Sequence, residues 1–421
     1  MNTLIKNAKI LSMDEDFDVK EGEIYIENGR IVSVGTCYNI EQIDEVIDAE
    51  GNLIMPGFKN AHSHCPMVFA RSLADDLPLS RWLNDVIFKL EAKLTGEDVY
   101  WFAQLAYLEY LAGGITSSFN MYYEPQAIVE AAKRVGYRTV LCGAVNNFKE
   151  SSELLEKYYI KYNSEELVSF QLGFHAEYTT SIELMEKISE LAHKYSAPVH
   201  VHNSETEQEV KGCLARYGKT PTQLLDMLGI YDFGGSGFHS VFLDEQDIDI
   251  YIKRGVSAVI NVCSNMKLAS GLAPVQKYIE RGLMLALGTD GASSNNALDI
   301  FREMYVLSLV QKVCTGNPQS GSPKKILEMA IKGGAKAMGL DECDALIPGK
   351  KADLIMIDLN QPNMRPMNNI VNNIVYSGNP SVVKMTMING QVLYKDREYL
   401  RVDSKEIIAK VEEHTENLLK R

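Results

Sequence analysis

Residues 53–66 read LIMPGFKNAHSHCP. A short apolar run ends in His62 and His64, one residue apart, with Cys65 directly after. Side chains along a strand alternate faces, so positions two apart point the same way. If the run is a strand, His62 and His64 aim together and Cys65 aims elsewhere. A lone His-x-His pair is a weak signal. Its weight depends on what the rest of the chain repeats.

Seven further apolar runs follow, near 116–120, 138–145, 167–176, 198–204, 236–241, 257–264 and 283–290, with helical stretches between them. Runs of this length suit strands buried on both faces of a parallel sheet. Eight strand–helix units predict an α/β fold, a (β/α)8 barrel of roughly the usual 250 residues. The chain ends read differently. EIYIENGRIVSVG (23–35) places Asn28-Gly29 between alternating runs, and SVVKMTMINGQVLY (381–394) does the same with Asn389-Gly390. Asn-Gly in that setting is a hairpin signal. The two termini are thus expected to build one small β-sandwich. The expected division is 1–52 plus 346–400 as that sandwich, 53–345 as the barrel, and 401–421 as a charged amphipathic C-terminal helix.

The chain has 421 residues, 46% hydrophobic and 23% charged, with a net charge of −14. That charge argues against a nucleic-acid partner, because phosphate binding draws on Lys/Arg clusters. The N-terminal MNTLIKNAKILSMDEDF lacks the basic start and apolar run of a signal peptide. No stretch reaches the roughly 18 uncharged apolar residues of a membrane span. Cys37, Cys65, Cys142, Cys213, Cys263, Cys314 and Cys343 are scattered without a CxxC. They suit a reducing cytoplasm, not a disulfide framework.

In such a barrel the chemistry sits at the C-terminal ends of the strands. His62 and His64 end run one, His175 ends run four, His200 and His202 end run five, His239 ends run six and Asp290 ends run eight. Only His193 and His414, of eight histidines, lie elsewhere. His202 is nearer the barrel mouth than His200, which is expected to pack one pleat deeper. Three imidazoles and one carboxylate, with a position open to water, suit catalytic Zn²⁺ and also admit Fe²⁺ or Mn²⁺. Glu205 follows His202 by three, close enough to shuttle protons as general acid/base. His239 is placed to polarise the water, and Asp290 to ligate the metal and take a proton. The metal's expected part is to lower the water's pKa and supply hydroxide. Each signal has a bland reading, such as a turn aspartate in GTDG; the order on a barrel pattern is what favours a site.

These motifs resemble those of the amidohydrolase superfamily. MPGFKNAHSH, RSLADDLPLSRWL, HVHNSETEQEV, NMKLASGLAPV, LGTDGASSNNALD and LIPGKKADLIMID each look like a signature of its branch of 5′-methylthioadenosine/S-adenosylhomocysteine deaminases and triazine hydrolases. The resemblance implies one divalent metal on His62, His64, His202 and Asp290, with Glu205 and His239 handling protons. It implies substrate contacts from Trp82, Glu91 and His175, and a homo-oligomer. Glu91 also stands out by itself, as a carboxylate beside a predicted helical stripe of Leu83, Ile87, Leu90 and Leu94 that wants a polar partner.

The sequence departs from the branch where an arginine often follows strand three. Asn146 and Asn147 stand there, and strand four runs into Glu177. An added acid and a missing base argue against a strongly anionic substrate. The expected activity is hydrolytic deamination of an adenosine-type nucleoside, namely 5′-methylthioadenosine, S-adenosylhomocysteine or adenosine, releasing ammonia. The alternatives are a guanine-like or pterin ring, a triazine chlorohydrolase, or a non-catalytic barrel scaffold.

Overall fold

Eight parallel strands run Phe58–Ser63, Ile115–Met121, Arg138–Cys142, Val168–Ala176, Val199–Asn203, Gly235–His239, Val256–Ile260 and Met284–Leu287. Each pairs with the next in chain order. The computed structural model describes residues 2–14, 17–37, 40, 42–163 and 165–421. All eight predicted runs hold one barrel strand each. The seam between the first and eighth strands is bridged by a side chain. The Asn60 amide donates to Thr289 Oγ1 at 2.7 Å, and its oxygen accepts the Thr289 N–H at 2.9 Å. Asp290 N–H then donates to the His62 carbonyl at 3.0 Å. The seam therefore brings His62, His64 and Asp290 side by side.

The run 53–62 is not one strand. Leu53–Pro56 pairs antiparallel with Leu354–Ile357 and parallel with Asn2–Leu11, in the terminal sheet. The barrel strand starts at Phe58, so the boundary expected at residue 53 falls after Pro56. Gly57 makes the break possible: a Cβ there would lie 2.1 Å from Thr116 Cγ2. No periodicity marks that close approach.

Among the described residues, the terminal sheet has nine strands from both chain ends. Both predicted hairpins form in it. Asn28 and Gly29, and Asn389 and Gly390, adopt left-handed φ of 49°, 78°, 51° and 75°, as a two-residue turn between twisted strands demands. The sheet buries its own core, in which Ile5, Ile24, Ile54, Met356 and Met385 meet. Arg138 at the base of the barrel donates to Asp353, directly before the interior strand Leu354–Ile357 of this sheet, at 2.5 and 3.0 Å. Burial alone would raise the Asp353 carboxyl, but the guanidinium outweighs it and holds it near pH 2.

Helix boundaries follow local chemistry. Thr95, Thr206, Thr220 and Asp244 close capping boxes at helix starts, and Gly136, Gly218, Gly255 and Gly339 end helices with left-handed φ,. The C-terminal helix Ser404–Lys420 lies against Gly96–Ala112, where His414 Nδ1 meets Asp98 at 2.7 Å. Among the described residues, no helix is long and apolar enough to cross a membrane.

Candidate active site

The strand-end histidines converge. His64 and His202 stack with ring centres 5.3 Å apart, and His62 meets both edge-on at 4.8 Å. His64 Nδ1 lies 2.6 Å from the Met121 carbonyl and His202 Nδ1 lies 2.7 Å from the His175 carbonyl. A carbonyl only accepts, so each Nδ1 carries the proton. In the neutral rings both Nε2 atoms then present lone pairs, and these face each other at 3.3 Å. Neither ring nitrogen of His62 has a hydrogen-bond partner among the described residues. His62, His64 and Asp290 form one donor group, and His62, His202 and His239 a second, each with its atoms within 4.8 Å of one another.

Asp290 divides its oxygens. Oδ2 accepts the Ser264 and Ser294 hydroxyls at 2.6 and 2.9 Å. Oδ1 faces His64 Nε2 at 3.2 Å and His62 Nε2 at 3.5 Å. Burial opposes the Asp290 charge, yet His62 and His64 hold its pKa well below the usual range. Burial likewise opposes a proton on His64, and Asp290 overcomes it and raises the pKa. Burial drives His62 down to about 3 and His202 well below the normal imidazole range. Clustered lone pairs beside one ionised oxygen fit a divalent cation, which would draw these donors together and offset their mutual repulsion. His62, His64, His202, His239 and Asp290 carry the donor atoms that could hold it.

Two strained residues frame the cluster. Asp290 has φ of 60° and His239 of 73°, conformations that non-glycine residues keep only where the surroundings impose them. Gly288 completes the fit: a Cβ there would lie 2.8 Å from His62 Cβ and 2.4 Å from Asn261 Oδ1.

Glu205 sits across from Asp290. Burial, reinforced by Asp290, pushes its carboxyl up to about 8. Ser270 donates to its Oε1 at 3.3 Å, and its Oε2 lies 3.8 Å from His239 Nε2. The Asn265 amide nitrogen donates to His239 Nδ1 at 2.8 Å. His239 therefore carries its proton on Nε2, toward Glu205.

Trp82, Glu91, His175, Glu205, His239 and Asp290 all line one narrow inner chamber of about 60 Å³ above the cluster, with His64 and His202 in its wall. Thr179 gives its hydroxyl proton to the Ala176 carbonyl, so His175 Nδ1 donates to Thr179 Oγ1 at 2.9 Å and leaves Nε2 as an acceptor. Trp82 Nε1 has no partner among the described residues. Glu91 is buried, which raises its pKa. The segment predicted as one helical stripe is interrupted by a π-helical turn at Trp82–Ile87. The widened turn re-phases the helix, so that Trp82, Phe88 and Glu91 share the chamber wall.

Leu79, Leu83, Phe88, Tyr178 and Leu268 line both the inner chamber and a neighbouring outer one of about 830 Å³. The expected effect of Glu177 is corrected here. Glu177 is buried outside both chambers, and both its oxygens accept from Arg216 Nη2 at 2.8 and 2.7 Å. Asn146 caps its own loop through Phe148 N and Lys149 N, and Asn147 accepts from Ser181 N. Neither lines a chamber. Arg216, 39 residues beyond Glu177, is the one lysine or arginine among the described residues lining either chamber. Nothing in local periodicity pairs those two. His200 is buried one pleat below His202 against Phe119, and Cys65 is buried in the hydrophobic core outside the chamber.

Sequence reading missed Ser264, Asn265, Ser270 and Ser294, which orient Asp290, His239 and Glu205. Asn265 and Ser270 lie within NMKLASGLAPV, and Ser294 within LGTDGASSNNALD, so the signal was family likeness without a stated role.

The chain is similar over its full length to known proteins. It is 37% identical to a 5-methylthioadenosine/S-adenosylhomocysteine deaminase of Caldanaerobacter subterraneus, covering 100% of this chain and 99% of the relative. It is 38% identical to a 5′-deoxyadenosine deaminase of Methanosarcina mazei, covering 99% and 98%. The crystal structure of an adenosine deaminase from Xanthomonas campestris with bound zinc superposes with a TM-score of 0.95 at 29% identity, covering 100% and 99%. Residues 53–393 match the amidohydrolase family, whose members depend on a metal. With the barrel, the convergent imidazoles and this match on the page, the chain belongs to the amidohydrolase family.

Proposed function

We propose that this chain is a metal-dependent hydrolytic deaminase of 5′-substituted adenosines. The observation that carries this is a lone-pair cluster and a buried carboxyl, whose pKa burial raises, lining one narrow chamber. His62, His64, His202 and Asp290 hold one divalent cation, Zn²⁺ first. Bound there, it supplies Lewis acidity that brings the pKa of water toward neutrality.

The residues divide the proton work. Glu205 gives its proton to the purine ring nitrogen beside the amino-bearing carbon, making that carbon electrophilic. Asp290 Oδ1 accepts one proton of the attacking water, and His239 Nε2–H hydrogen-bonds the water's oxygen. The carbon becomes tetrahedral. The second water proton returns to Glu205, the proton on Asp290 goes to the amine, and the C–N bond breaks. Ammonia leaves and the ring keeps the oxygen. Trp82 covers the purine, Glu91 accepts from the ribose hydroxyls and His175 Nε2 accepts a substrate donor. The 5′ substituent extends into the outer chamber.

The full-length similarity to proteins named for 5′-substituted adenosines supports this substrate class. So does the Arg216 guanidinium in the outer chamber, which suits polar 5′ extensions. The test is ammonia release by zinc-loaded protein from 5′-methylthioadenosine, S-adenosylhomocysteine, 5′-deoxyadenosine, adenosine and guanine, with metal content measured in parallel. Ammonia from the 5′-substituted adenosines is expected. Its absence from every adenosine refutes the reading. A homo-oligomer belongs to the same proposal, supported by the exposed apolar face of Tyr305, Leu309 and Val313 on helix Ile300–Thr315, as does a cytoplasmic location, supported by the scattered free cysteines,. Sedimentation velocity that shows only monomer at every concentration removes the oligomer.

A further inference from the structure

Glu209 is a buried carboxylate that the reaction above does not use. It makes no ion pair among the described residues. Its oxygens take three backbone N–H groups: Ser204 at 2.8 Å, Glu205 at 2.7 Å and Thr206 at 3.4 Å. A capping box asks only for the last of these, the N-cap N–H, and here that bond is the longest. In the boxes at Thr95, Thr220 and Asp244, the N3 side chain reaches no backbone N–H upstream of its own N-cap. Glu209 therefore does more than begin a helix.

The two short bonds hold a strained turn. Ser204 has φ of 54° and no exposure. Its carbonyl accepts the N–H groups of Val241 and Phe242 at 3.0 Å each, and the Asn203 carbonyl accepts Ser240 N–H at 3.1 Å. That second turn carries His239 and has φ of 73° and 47° at His239 and Ser240. One carboxylate thus anchors the backbone of Glu205 and, through Ser204, the turn that sets the 3.8 Å approach of His239 to Glu205.

We propose that Glu209 is a positioning residue, which fixes the Glu205 turn and through it the Glu205–His239 pair for proton transfer. The proposal rests on the reading of Glu205 as the proton-handling carboxylate. Glu209→Gln tests it, because the amide sets a donor against one of two backbone donors at almost unchanged volume. Misplacing a reacting group by about 1 Å costs about 10²-fold. Glu209 and Thr206 also line the outer chamber, so the assay uses adenosine, which carries no extension into it; the expected result is a kcat lower by about that factor with KM within about twofold. Bound metal stays at the wild-type ratio. Thr206→Ala is the control: it removes the hydroxyl that accepts Glu209 N–H at 3.1 Å and so weakens the helix start, but keeps the ties to Ser204 and Glu205. It is expected to keep kcat.

An unchanged kcat in Glu209→Gln, or an equal loss in Thr206→Ala, overturns the proposal. A crystal structure of Glu209→Gln decides it independently of substrate. A displaced 203–206 turn supports it, and a superposable one overturns it. Wild-type protein that deaminates nothing would remove the functional reading alone.

Discussion

Glu205 and Arg216 carry the residue-scale consequences. Burial raises the folded Glu205 carboxyl from 4.5 to about 8. Between those values the folded chain binds the proton more tightly than the unfolded chain. The stability from this group is full below about pH 4.5 and is lost as pH rises through about 8. Glu205→Gln removes that pH-dependent term. In metal-free protein, the Tm of the variant relative to wild type is expected to climb between pH 5 and pH 8, while metal-loaded turnover falls by about 10²–10⁴-fold. A Tm difference that is flat with pH contradicts this. At Arg216, substitution by Met keeps length and removes charge. It should lower kcat/KM for S-adenosylhomocysteine more than for 5′-methylthioadenosine, by roughly tenfold, the worth of a charge-assisted hydrogen bond. Equal loss on both substrates would place the 5′ substituent elsewhere. The variant also leaves Glu177 buried without its cation, so the ratio of substrates is the informative quantity.

At the scale of elements, the site depends on how closely the first and last barrel strands approach. Gly288 directly follows the eighth strand against His62, with room for a hydrogen and no more. Gly288→Ala pushes His62 away from Asp290, and overpacking of this kind costs about 1–3 kcal/mol. The expected variant folds with a lower Tm and binds less than the wild-type amount of zinc. Full zinc occupancy would show that the seam yields elsewhere. The π-helical turn at Trp82–Ile87 works in the same way on the chamber roof, because one added residue per turn decides which side chains face inward,.

At the scale of the molecule, the barrel and the terminal sheet share a buried ion pair. Arg138 and Asp353 have side chains only 3% and 0% exposed. Arg138→Met leaves the carboxylate buried without its cation, and removing one member of such a pair costs about 3–5 kcal/mol. Denaturant unfolding should show that loss, and it should shrink at acidic pH as Asp353 protonates. A change under 1 kcal/mol at neutral pH would mean that water reaches Asp353.

The eight strand–helix units, the two Asn-Gly hairpins and the placement of His62, His64, His175, His202, His239 and Asp290 at strand ends are legible along the chain. These are local matters. Apolar runs, turn chemistry and the two-residue alternation of a strand are written within a few residues of each other. The break at Gly57, the pairing of Glu177 with Arg216, the tautomer of His239 set by Asn265 and the hold of Glu209 on the Glu205 turn emerge from packing alone. Each depends on side chains or backbones brought together by the packing of whole elements. Periodicity states which way a side chain points; it does not state what stands opposite.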